Sequence, residues 1–119
     1  MILNMDLARE ILISIEKYEE PTGWATINVN NYSNKEISYH IKKLYEAGLI
    51  VAENLTDSAG YDWKAKELTW EGHQFLNAAR DKNIWHKAKT MISDKAESVS
   101  FEVFKAVLVQ IAKEIIFSK

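Results

Sequence analysis

The feature that most constrains this chain is a change of hydrophobic period at Gly48. Before it, Ile37, Ile41 and Leu44 recur at three and four residues, the spacing of one buried helix face. After it, Leu49-Ile50-Val51-Ala52 is a short apolar run with the composition of a strand. Asn54 to Gly60 is a polar turn, and Asp62 to Leu68 alternates, with Trp63 and Ala65 on one side and Lys64 and Lys66 on the other. A helix thus passes directly into a β-hairpin, with Gly48 at the left-handed position that closes the helix. Start signals flank this unit. Ser33-Asn34-Lys35-Glu36 reads as a capping box, and Thr69 caps a helix from Trp70 to about Arg80 that buries Phe75, Leu76 and Ala79.

The same reasoning extends outward. Leu7, Ala8, Ile11, Leu12, Ile15 and Tyr18 predict a first helix over about Asn4 to Glu19, ended by Pro21-Thr22-Gly23, and Trp24 to Val29 predicts a short strand. Asp81 is placed to cap a continuation through Ile84, Trp85, Ala88, Met91 and Ile92, with a polar break and hinge at Asp94 to Ser98. A last helix, about Ser100 to Phe117, carries Phe101, Phe104, Val107, Leu108, Ile111, Ile115 and Ile116 on a broad apolar stripe. Trp24, Trp63 and Trp70 flank the hairpin and are expected to fill one core with it.

Helix, short strand, capped helix, hairpin and capped helix is the order of a winged helix. Leu44-Tyr45-Glu46-Ala47-Gly48-Leu49-Ile50 resembles the end of a recognition helix entering the wing in many bacterial regulators, and Leu68 to Leu76 resembles the segment that follows it. More closely, Tyr39-His40, Leu44 to Ile50, Tyr61-Asp62-Trp63, Leu68 to Leu76, Ala78 to Asp81 and Ile84-Trp85 are similar to a bacterial and phage family called domain of unknown function 2513. The resemblance spans nearly the whole chain. It implies a small winged-helix-like protein, often carried by prophages and other mobile elements, with no agreed activity or catalytic residues. The expected fold is therefore α+β, mostly α: a winged-helix-like domain over 1–93 with a β-hairpin wing, and a C-terminal helix over 94–119 that packs on it or on a partner subunit.

Composition narrows function by exclusion. The 119 residues hold no Cys, which excludes a disulfide scaffold, thiolate metal ligation and thiol catalysis. The first residues lack the basic start and apolar run of a signal peptide, and no stretch nears the ~18 uncharged apolar residues of a membrane span, so a cytoplasmic protein without membrane contact is expected. The histidines, His40, His73 and His86, lack the spacing of a metal site, and Glu16, Glu19 and Glu20 cluster at a helix end, where a solvated acidic face is expected rather than a catalytic pair. An enzyme is not expected, nor is a cofactor or metal. His40, on the edge of the buried stripe, is expected to pack with a ring nitrogen bonded to a backbone carbonyl.

What remains is binding. Opposite Ile37, Ile41 and Leu44, at roughly 100° per residue, the second helix displays Lys35, Ser38, Tyr39, Lys42 and Lys43, and the wing adds Lys64 and Lys66. These seven residues are the expected contacts to double-stranded DNA, for a transcriptional regulator or accessory factor of a phage or mobile element. Two features count against that reading. The face holds no Arg for bidentate guanine contact, and the twelve residues between Glu20 and Ser33 leave no room for a full supporting helix. The rival reading is a non-enzymatic interaction module that docks on a host or phage protein without touching DNA. In either case the last helix is more apolar than one contact surface needs, so Phe104, Val107, Leu108, Ile111 and Ile115 are expected to form a homodimer interface.

Overall fold

The computed structural model describes residues 1–95 and 101–117, an α+β and mostly helical chain with one two-stranded antiparallel hairpin. In order the elements are α1 (Met5–Lys17), α2 (Asn34–Glu46), β1 (Ile50–Asn54), β2 (Trp63–Leu68), α3 (Trp70–Ala79), α4 (Lys82–Lys95) and α5 (Phe101–Phe117). Among the described residues no helix is long and apolar enough to cross a membrane. The chain forms two compact units, Met1–His73 and Gln74–Lys119. Within the second, α4 packs against α5.

In the first unit, Leu7, Ala8, Ile11, Leu12 and Ile15 of α1 are all buried, each large side chain contributing roughly 1.5–3 kcal/mol. Asn4 caps α1 by accepting from the Leu7 amide at 3.1 Å. Its own amide donates to His40 Nε2 at 2.8 Å, while His40 Nδ1 lies 2.8 Å from the Glu36 carbonyl. One tautomer satisfies both contacts: Nδ1 carries the proton and Nε2 accepts. The histidine expected to bond a carbonyl does so, and it also ties α1 to α2.

The capping box at Ser33 and Glu36 is complete. At the other end α2 closes in a Schellman motif: the Gly48 amide donates to the Tyr45 carbonyl and the Leu49 amide to the Leu44 carbonyl, both at 3.0 Å, with Gly48 at φ 78°. Leu44 and Leu49 are both buried, supplying the apolar contact typical of that motif. The hairpin pairs Ile50 with Leu68 and Ala52 with Ala65, and the register shifts between Val51 and Ala52. This bulge puts Ala65 and Leu68, three residues apart, on the same buried side, where strict alternation would separate them.

Thr69 then starts α3. Its amide donates to the Leu49 carbonyl at 3.0 Å, its hydroxyl donates to the Gly48 carbonyl at 2.6 Å, and the same oxygen accepts from the Gly72 amide at 3.1 Å. Segment 24–29, expected as a strand, carries one sheet-like bond, from the Ala25 amide to the Ala65 carbonyl at 2.8 Å, and is otherwise irregular. No helix lies between α1 and α2, as the short connection required.

In the second unit, Phe104, Leu108 and Ile111 are buried within the single chain, and Trp85 packs on Phe104 at a tilt, with centroids 4.9 Å apart. Three of the residues expected at a dimer interface thus serve the core of their own unit. Of the remaining two, Val107 is half-buried and Ile115 is exposed. Asp81 caps α4 as expected, accepting from the amides of Asn83 and Ile84. The expected hinge begins with two residues that are still helical, Asp94 and Lys95; its remainder, 96–98, lies outside the described residues.

Gly72 and Gly48 separate two roles of glycine. A Cβ on Gly72 would overlap the Leu49 carbonyl, whereas one on Gly48 meets open space and suffers only from the positive φ. Urea unfolding should show Gly72→Ala losing about 3 kcal/mol and Gly48→Ala about 1 kcal/mol. Equal losses would contradict the close approach of α3 to Leu49.

Candidate functional site

The second helix meets α1 on one side and the hairpin on the other. Its buried arc therefore runs from His40 through Ile41 and Leu44 to Ser38, about 160° at 100° per residue. Ser38 is the casualty of that width. It was expected on the solvent face, yet it is 5% exposed and its hydroxyl accepts from the Trp63 amide at 3.3 Å. It secures the hairpin to α2 and is not a surface contact.

The remaining expected residues reach the surface, but most are engaged. Lys43 pairs with Glu46 at 2.9 Å and lies 5.3 Å from the centre of the Tyr39 ring. The hydrogen bond to Glu46 holds the Lys43 ammonium above the usual lysine value and the Glu46 carboxyl below its own. On the wing, Lys64 pairs with Asp62 at 3.7 Å. Lys66 reaches Glu53 diagonally across the hairpin at 2.9 Å and sits 5.0 Å over the Trp24 ring. Lys35 and Lys42 have no ion-pair partner among the described residues.

Beside this face lies a groove of about 700 Å³ that sequence reasoning missed. One wall is Trp24 to Ile27, the other is the hairpin from Asp57 through Tyr61 and Trp63 to Ala65, and α2 supplies Ile37, Ser38 and Ile41 between them. Because Ser38 and Ile41 are buried, they form its floor. Trp24 and Trp63 are half-buried among the residues lining it, with Trp63 also against Tyr45 at 5.6 Å between centroids. The groove lies between the α1–α2 connection, which holds no helix, and the wing. The shortness of that connection was the available signal.

Trp70 departs furthest from expectation. It was placed in a core with Trp24 and Trp63, but it is 75% exposed. On α3 it lies about 200° round from Gly72, and Gly72 is the residue held against Leu49, so Trp70 must face away.

Known proteins add kinship without a role. A family model described as "Hypothetical protein (DUF2513)" matches residues 2–98. An uncharacterised protein of Haemophilus influenzae (strain Rd) is 33% identical over 105 residues, covering 87% of this chain and 89% of that protein. No solved structure matches.

The Lys43–Glu46 pair is open to direct measurement. In Lys43→Met the Glu46 carboxyl should titrate higher, back toward its usual value, when followed by side-chain NMR. The accompanying loss of fold stability should be small, because both groups are solvated, and should be present at neutral pH and vanish as pH falls through the Glu46 titration. An unmoved Glu46 titration would contradict the pairing.

Proposed function

The chain belongs to the DUF2513 family, and within it we propose a non-enzymatic protein-interaction module that engages its partner through the winged-helix-like first unit. The observation carrying this reading is that most of the expected DNA-facing cations are matched by acids of the same unit, which is acidic as a whole. Of the five lysines expected to meet DNA, three are held by the chain's own acids. Residues 1–73 contain seven Lys and Arg against twelve Asp and Glu, a net charge of −5. Affinity for duplex DNA comes largely from phosphates neutralised by uncompensated cations, so a unit of this sign repels the polymer before any base is read. A protein surface imposes no such requirement.

One observation favours the second reading, a DNA-binding accessory factor or transcriptional regulator. Lys35 and Lys42 stand on the outer face of α2 without an ion-pair partner among the described residues. A mobility shift with the DNA upstream of the protein's own gene, at low and at physiological salt, separates the two. The interaction reading predicts no sequence-specific shift, and no difference between the wild type and a Lys35→Ala/Lys42→Ala double variant. A specific shift whose salt slope falls by about two in the double variant would establish the DNA reading instead.

A further inference from the structure

The groove on the first unit has walls of different character. On the hairpin side the main chain is paired: β2 bonds β1, the Leu55 amide donates to the Asp62 carbonyl, and Asp57 and Gly60 exchange two bonds. On the other side, the Ala25 to Ala65 bond is the one backbone link between the walls among the described residues. Beyond it Thr26 and Ile27 line the groove, and their main-chain amides and carbonyls have no hydrogen-bond partner among the described residues. Thr26 is exposed and Ile27 half-buried, so these groups are open to an incoming chain, and an added strand can pair with them as a helix cannot, since a helix spends its own amides internally.

The side chains define what such a strand would carry. Trp24 and Trp63 with Ile37 and Ile41 below them offer one apolar site. Charge at the hairpin rim is acidic: Asp62 is matched by Lys64, while Asp57 accepts from the Ala59 amide at 2.8 Å and has no ion-pair partner among the described residues. The net charge of −5 on residues 1–73 reinforces that sign.

We propose that this groove binds an extended peptide, paired along Thr26 and Ile27, with an apolar side chain between Trp24 and Trp63 and a neighbouring Lys or Arg facing Asp57. The assignment rests on the protein-interaction reading and specifies its site and partner chemistry. A phosphate backbone in the same position would meet Asp57 and the acidic unit, which sets nucleic acid aside as occupant.

The test is selection of a displayed random octapeptide library on the full chain, followed by synthesis of the enriched peptides. Enrichment of an apolar centre flanked by Lys or Arg is expected. Binding should fall about tenfold on N-methylation at alternate peptide positions, since only every second amide points at the protein edge. Asp57→Asn should weaken it about two- to five-fold, as for an exposed ion pair, and Trp70→Ala should leave it unchanged. In NMR spectra one of the adjacent Thr26 and Ile27 amides should become protected from exchange, since neighbouring amides of an extended segment point to opposite edges. Acidic consensus peptides, insensitivity to N-methylation, or failure to enrich any peptide would overturn the proposal. Peptides that bind but perturb Trp70 or α5 would overturn the groove while leaving the interaction reading intact. A single-stranded oligonucleotide that displaces the peptides from these amides would overturn both.

Discussion

The first unit depends on the backbone of one residue, Leu49. Its amide closes α2 through the Leu44 carbonyl, its carbonyl accepts the Thr69 amide that starts α3, and the absent side chain of Gly72 lets α3 approach that carbonyl. Helix, hairpin and following helix are thus fixed within a few ångströms of one peptide. Everything further out inherits this geometry: the hairpin leaves at the angle set by Gly48, its second strand returns to Thr69, and the bulge keeps Ala65 and Leu68 facing inward. Burial of Leu44, Leu49, Ile50 and Leu68 then excludes water from these bonds, which makes each of them costlier to break.

The parts legible in the sequence were those coded locally. A capping box, a Schellman glycine and a Thr cap each specify a backbone conformation within four or five residues, and all three formed at Ser33, Gly48 and Thr69. His40 was legible too, because its carbonyl partner lies one turn away. What failed depended on which surface covers a face. Ser38 was assigned to solvent because a single helix stripe was assumed, but a helix gripped from two sides buries a wider arc. Phe104, Leu108 and Ile111 form a stripe of the right width for a dimer, yet the same width serves packing within their own unit. The pairing of Lys66 with Glu53 needed the register of the hairpin, which the bulge alters by one residue.

The proposed function turns on charge compensation rather than on fold. A winged-helix-like frame presents α2 and a wing, and such frames serve both DNA and protein partners. Here the wing lysines are matched by Glu53 and Asp62 from the same hairpin, and Lys43 by Glu46 from the same helix. The missing supporting helix has a second consequence. It removes a source of phosphate-clamping amides, and the groove beside α2 is where the proposed peptide would dock.

Native-state amide hydrogen exchange on the free protein tests both the Leu49 junction and the open groove at once. The account predicts that the Leu49 and Thr69 amides exchange only through global unfolding of the first unit, while the Thr26 and Ile27 amides exchange near the rate of unprotected chain. Protection of Thr26 and Ile27 comparable to that of Ala65 would mean that this segment is a paired third strand and the groove is closed. Fast exchange at Leu49 would remove the junction on which the rest is built.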